Sequence, residues 1–284
     1  MKSLTLPAPA KINHFLHITG RRADGYHLLQ TLFQFLNYGD EITLTLRHDG
    51  VISRSQGNKG IPPQEDLAVK AAELLQTDTA CQLGADIRVE KRLPMGGGLG
   101  GGSSDAATTL LGLNLLWGLA LSEERLAALG LALGADVPVF VQGRTAWAEG
   151  VGERLTFVEL AEKWYLVVHP GVHISTAEIF SNAGLTRDLQ PITIAAFLAG
   201  QTQNVFESVV RKASSEVDKA FNWLSDFAVT KMTGSGACLF AEFENAVDAQ
   251  QVLNRLPAQW SGFVARSESR SSLHQQLDII AKSV

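Results

Sequence analysis

Hydrophobic and polar positions along this 284-residue chain recur with two periods, one near two and one near three to four, and the period switches often. From Lys11 to Ile18 the alternation is strict, with Ile12, His14, Leu16 and Ile18 on one face and Lys11, Asn13, Phe15 and His17 on the other. A period of two predicts a strand and sets Lys11 and Asn13 side by side. It also puts His14 and His17 on opposite faces, which rules them out as a metal-binding pair. Gly20-Arg21-Arg22-Ala23-Asp24-Gly25 reads as a turn, Tyr26 to Leu36 as a long apolar segment, and Asn37-Tyr38-Gly39-Asp40 as another turn. Ile42, Leu44 and Leu46, alternating with Thr43 and Thr45, predict a half-buried strand. Residues 53–63 are polar, with glycines and two prolines, and read as loop.

Leu67, Ala71, Leu74 and Leu75 stand at helical spacing, and Ile87 and Val89 alternate with charges in a strand that runs into a run of glycines. Two helices follow. The second begins at Ser122, carries acids in its first turn and stops at Gly134, which suits the left-handed position after a helix. Thr145 to Ala148 predicts a strand, and Glu149-Gly150-Val151-Gly152-Glu153 the junction between two halves. The second half predicts strands at 164–168, 229–232, 237–243 and 263–266. Its helices are expected at 176–183, 205–212, 217–224 and 247–256, with a closing helix from Leu273. Strands and helices do not alternate one for one, so the pattern predicts an α+β protein of two domains, 1–150 and 151–284, and not a doubly wound parallel sheet. The closing helix is expected to pack back on the first half.

The run Pro94-Met95-Gly96-Gly97-Gly98-Leu99-Gly100-Gly101-Gly102-Ser103-Ser104-Asp105 changes this picture most. So many glycines are tolerated where backbone must approach something closely or take positive φ. They hand over to the helix-starting residues Ser103, Ser104 and Asp105 and then to an apolar helix. A glycine turn feeding a helix N-terminus cradles phosphate, because free N–H groups and the helix dipole point at one place. The P-loop pattern fails here for want of a lysine before the serines. Gly96, Gly98 and Gly101 match GxGxxG, yet no acid follows about twenty residues later to hold a ribose.

With 45% hydrophobic and 19% charged residues the chain has ample material for a core, and its net charge of −5 argues against nucleic acid as the main partner. Cys81 and Cys238 lie far apart without metal-ligand spacing, as expected of reduced thiols in a cytoplasmic protein. No signal peptide and no membrane partner are expected.

A phosphate cradle implies a nucleotide but no particular reaction; phosphoryl transfer also needs a base and a positive charge near the transferred group. Asp136 stands in an apolar run after Gly134-Ala135, where burial is costly unless the carboxylate is paired. A lysine such as Lys11 would serve, and a turn or N-cap acid ahead of Pro138 is the competing reading. For Lys11 itself the competitor is a solvated lysine on a strand edge. Thr233-Gly234-Ser235-Gly236-Ala237 is either a tight hairpin or a second source of backbone N–H groups for the phosphates. Tyr26 and His27 suit stacking on a base and hydrogen-bonding its edge, against a buried aromatic beside a capped histidine.

Pro9-Ala10-Lys11-Ile12-Asn13, the loop 94–107 and Thr233-Gly234-Ser235-Gly236-Ala237 together resemble the three motifs of the GHMP small-molecule kinases. Arg22-Ala23-Asp24-Gly25-Tyr26-His27, Gly134-Ala135-Asp136-Val137-Pro138-Val139-Phe140 and His169-Pro170-Gly171-Val172 narrow the resemblance to the branch whose acceptor is a cytidine diphosphate derivative of methylerythritol. The resemblance implies a two-domain α+β fold with ATP bound in the first half and the acceptor in the cleft between halves. It also implies Mg2+ carried with the nucleotide and a monomer or weak homodimer. By the same resemblance Asp136 is the catalytic base and Lys11 its orienting lysine. Pro94 through Ser104, with Lys91 and Leu67 near the adenine, would bind ATP. Asn13, Tyr26, His27, Thr176 and Phe180 would bind the acceptor. The family usually has Asn where this chain has Asp66. Other GHMP kinases, a nicotinamide oxidoreductase and a non-catalytic nucleotide-binding module are the competing functions.

Overall fold

The computed structural model describes residues 2–23, 25–57, 60–201 and 203–282. Asp24 and residues 58–59, within the turn and loop expected above, lie outside the described residues. The chain runs β1 (Ser3–Arg21), β2 (His27–Arg47), β3 (Ile52–Gln56), α1 (Leu67–Thr79), β4 (Gly84–Glu90), α2 (Gly101–Leu116), α3 (Glu123–Leu133), α4 (Val137–Gln142), β5 (Ala146–Glu149) and β6 (Arg154–Phe157). It continues with β7 (Trp164–His169), α5 (Thr176–Ser181), α6 (Ile194–Leu198), α7 (Glu207–Ala213), α8 (Ser215–Ser225), β8 (Thr230–Met232), β9 (Leu239–Phe243), α9 (Ala246–Leu253), β10 (Ser261–Glu268) and α10 (Ser272–Ala281).

Among the described residues the strands form one ten-stranded sheet in two parts. In the first, β2 pairs antiparallel with β1, β4 and β5, and β3 adds parallel to β4. In the second, β7 lies between β10 and β9, with β8 beyond. Strand β10 joins them by pairing Ser267 and Glu268 with β2. Helices α1, α2, α3 and α4 cover the first part over one apolar core that includes Leu6, Leu44, Ile87, Leu110, Leu113 and Phe140. A second core under α7 and α8 gathers Leu166, Phe206, Val210, Leu224 and Leu239. Leu273 of α10 belongs to the first core, so the closing helix does return to the first half.

Several expectations are corrected. Strand β1 starts at Ser3 and runs through Pro7 and Pro9, which do not delay it. Among the described residues no strand pairs with its outer edge at Pro7 and Pro9, so prolines lacking an N–H fit there, and their carbonyls accept the hydroxyls of Thr108 and Ser104 from α2. Residues 37–40 are not a turn but the middle of β2. Gly39 lets β1 cross closely, since a Cβ there would fall 2.1 Å from the Ala8 carbonyl. Residues 53–56, the start of the expected loop 53–63, belong to β3. Helix α2 starts at Gly101 with Gly100 in the left-handed region (φ 74°), so Ser103, Ser104 and Asp105 lie inside its first turns and do not start it. Gly134 after α3 is extended (φ 174°) and not left-handed. Residues 149–153 turn the hairpin of β5 and β6, so the chain leaves the first part of the sheet only between β6 and β7.

Candidate active site

The cradle forms on the outer edge of β1. Residues 7, 9, 11 and 13 point their backbone groups the same way, as a period of two requires. Beyond the two prolines, the N–H of Lys11 donates to Leu99 O (3.0 Å) and that of Asn13 to Thr233 Oγ1 (3.0 Å). The edge that would otherwise lie open thus receives the glycine loop and the 233–237 hairpin.

That hairpin connects β8 and β9, and it also grips the loop. Ala237 and Cys238 donate their N–H groups to Gly96 O and Gly97 O, both at 3.1 Å, and Thr233 Oγ1 donates to Gly98 O at 3.1 Å. Gly98 (φ 73°) lies so close that a Cβ would fall 2.2 Å from Thr233 O. The motif is a hairpin, and the N–H groups of Ala237 and Cys238 go to the carbonyls of the glycine loop, which it fixes from the other part of the sheet.

Lys11 Nζ faces three acceptors, Asn13 Oδ1 (2.6 Å), Gly98 O (3.0 Å) and Asp136 Oδ2 (3.3 Å). Three acceptors match the three N–H bonds of an ammonium, and the lysine side chain is only 3% exposed, so the charge is held in one place. Asp136 is the N-cap of α4, with Pro138 in the first turn, yet its side chain makes no capping hydrogen bond. The carboxylate, 35% exposed, turns instead to Lys11 and to the cleft. Asn13 spends its amide on Thr31 Oγ1 (2.9 Å) and its carbonyl on Lys11, which makes it a holder of the lysine.

A cleft of about 1160 Å³ runs past this pair. It is lined by Lys11, Asn13, Tyr26, His27, Leu67, Lys91, the loop from Pro94 to Ser103, Asp136, Thr176 and Phe180. Ser104 is the exception among the expected site residues. It is fully buried, its hydroxyl goes to Pro9 O and its N–H to Gly100 O, so it has no donor left for a ligand.

At one end of the cleft His27 lies against Phe180, ring centroids 4.9 Å apart, and Phe180 leans on Phe206. Burial, with help from Arg187 and Arg21, lowers the His27 pKa, so the ring is neutral at pH 7. Its Nε2 is buried without a hydrogen-bond partner among the described residues. At the other end Lys91 reaches both Asp40 and Asp105. Burial works against its charge, but the two carboxylates outweigh it and raise its pKa. Burial pushes the Asp105 carboxyl above its ordinary range despite Lys91, and Asp105 Oδ1 has no hydrogen-bond partner among the described residues. Asp66, the departure from the family pattern, caps α1 through Ala68 N (2.9 Å) and pairs with Arg54 at 2.5 Å. Both of its oxygens are thus committed to structure.

Residues 66–144 match the GHMP kinases N terminal domain and residues 181–262 the GHMP kinases C terminal domain. A 4-diphosphocytidyl-2-C-methyl-D-erythritol kinase of Alkalilimnicola ehrlichii is 60% identical over 94% of this chain and 92% of its own length. The chain belongs to the 4-diphosphocytidyl-2-C-methyl-D-erythritol kinase family of GHMP kinases. The kinase of that name from Ectopseudomonas mendocina is 55% identical over 98% of this chain and 96% of its own. A crystal structure of 4-(cytidine 5'-diphospho)-2C-methyl-D-erythritol kinase superposes with a TM-score of 0.81 at 32% identity, covering 93% of this chain and 99% of that one. A kinase has to hold a nucleotide and an acceptor together, and one cleft is lined by the glycine loop, the His27–Phe180 pair and the Lys11–Asp136 pair. Sequence reasoning overlooked Thr233 as a tie between the halves, Asp40 as a holder of Lys91, and His173 in the cleft. Thr233 carried a signal, as the hydroxyl opening a glycine motif; the other two carried none, because only tertiary contact brings them in.

Proposed function

We propose that the protein transfers the γ-phosphate of ATP to the 2-hydroxyl of 4-diphosphocytidyl-2-C-methyl-D-erythritol, in the non-mevalonate route to isoprenoid precursors. The observation that carries this is the single cleft joining the Lys11–Asp136 pair, the glycine loop and the His27–Phe180 wall. Family membership supports the same acceptor. Asp136 takes the proton of the acceptor hydroxyl as that oxygen attacks the γ-phosphorus, and the bond to the bridging oxygen of ADP breaks. Lys11, held by Asn13 and Gly98, keeps Asp136 aligned and faces the charge that grows on the transferring group. The cytosine lies between Tyr26 and Phe180, and His27 Nε2 reads its edge.

Mg2+ travels with the nucleotide in this reading and neutralises phosphate charge. Among the described residues no three His, Cys, Asp or Glu side chains cluster as a metal site. The donors that fit are the Ser103 hydroxyl in the first turn of α2 and the unpartnered Oδ1 of Asp105, both lining the cleft.

The deciding experiment measures ADP release with magnesium-ATP and this acceptor, for native protein and Asp136→Asn. Native turnover with a loss of about a thousandfold or more in the variant, at unchanged ATP affinity, supports both substrate and base. ADP release with homoserine or mevalonate instead would keep the site and discard the acceptor.

A further inference from the structure

His173 lies four residues past the end of β7 and three before Thr176, and its imidazole rests on the backbone of the glycine loop. A Cβ built on Gly96 would fall 2.3 Å from His173 Nδ1 and 2.7 Å from its Cε1, so the bare Cα is what admits the ring. Neither ring nitrogen makes a hydrogen bond among the described residues, and the side chain is exposed in the cleft. Along the same segment, Thr176 Oγ1 and Ser235 Oγ stand 2.8 Å apart, tying α5 to the 233–237 hairpin, and both also line the cleft. The segment 173–176 therefore meets the glycine loop through His173 on Gly96 and the 233–237 hairpin through Thr176 on Ser235.

The two lysines of the cleft are occupied and Arg21 is committed through its Nε. Lys11 serves Asp136 and Gly98, Lys91 serves Asp40 and Asp105, and Arg21 Nε donates to Gly25 O. A nucleoside diphosphate acceptor whose base is at His27 and whose reacting hydroxyl is at Asp136 must lay two phosphates across the span between them. Phosphate oxygens left without donors in that span would cost binding. We propose that His173, Thr176 and Ser235 form the seat of the acceptor's diphosphate. In it, His173 gives an N–H to a phosphate oxygen, which an imidazole can do in either protonation state. This rests on the acceptor reading above and deepens it: His173 selects acceptors that carry a diphosphate over those that carry only the base.

The test fills the nucleotide site with a non-hydrolysable ATP analogue and titrates cytidine 5'-diphosphate and cytidine into native protein and His173→Ala. Native protein holds the diphosphate about tenfold or more tighter than cytidine, and the variant loses most of that ratio while cytidine affinity stays within about twofold. In the full reaction the acceptor KM rises about tenfold in the variant and the ATP KM stays within about twofold. Ser235→Ala shifts the same ratio in the same direction. An unchanged ratio in His173→Ala, or a raised ATP KM with an unchanged acceptor KM, overturns the seat. Native protein that binds neither cytidine nor its diphosphate sinks the acceptor reading itself, a result distinct from equal binding of the two, which sinks only the seat.

Discussion

Thr233 shows how one hydroxyl can join three segments of the chain around one lysine. It accepts from the N–H of Asn13 and donates to the carbonyl of Gly98, the same carbonyl that takes Lys11 Nζ. Thr233→Val keeps the volume and removes the hydroxyl, whereas Thr233→Ser keeps the hydroxyl. The valine variant is expected to lose about tenfold to a hundredfold in kcat with smaller changes in either KM, and the serine variant to stay within about threefold. Steady-state kinetics of the pair checks this; equal kcat in both would leave Thr233 only a packing role. On the proposed function Tyr26→Ala, in the lining of the cleft, is expected to raise the acceptor KM about tenfold and leave the ATP KM alone. At this scale the sequence was legible where a residue's type is rare in its setting. Lys11 behind two prolines and Asp136 in an apolar run both drew notice, and they do meet. Ser104 misled because a serine after glycines reads as a cap, while the turn of α2 points it back at Pro9.

Elements were legible where one face is buried and the other wet, as in α3, α8 and β4. Where both faces are covered a strand could be read, as at Lys11 to Ile18 of β1, but not its ends or which face lies inward. Strand β1 is buried on both faces from Ala8 to His17, so its alternation carried no inside and outside. Strand β2 passes through Asn37 and Gly39, which locally signal a turn; pairing on both flanks with β1 and β4 overrides them. The glycine loop is the element most exposed to single substitutions. In Gly98→Ala the new methyl meets Thr233 O in a left-handed backbone. The variant should bind ATP at least about tenfold more weakly and lose about 2 kcal/mol or more of stability, read by titration and urea denaturation.

For the molecule as a whole, acid is the vulnerable side. Burial lowers the pKa of His14 from 6.5 to about 4, against a smaller upward pull from its bond to Gln34. His17, His27, His169 and His274 are lowered by burial too. A histidine kept neutral by the fold carries no penalty above its unfolded pKa. Below it the unfolded chain takes up a proton that the folded chain refuses. Stability therefore falls as pH drops from 6.5 towards 4, by roughly 3 kcal/mol for His14 alone. Urea unfolding of native protein and His14→Asn at neutral pH and near pH 5 isolates that share, and an equal acid loss in both would show that His14 does not carry it. The two-part organisation was foreseen from the rhythm of elements, but its seam was not, because the hairpin of β5 and β6 has the same glycines a linker would have.

The glycine loop is written in the first half of the gene, but its shape is set by carbonyls that Ala237 and Cys238 hold from the second. Neither half encodes a working cradle alone. Recombination that paired this first half with a distant relative's second half would preserve every glycine and still lose the loop's shape unless the matching hairpin came with it.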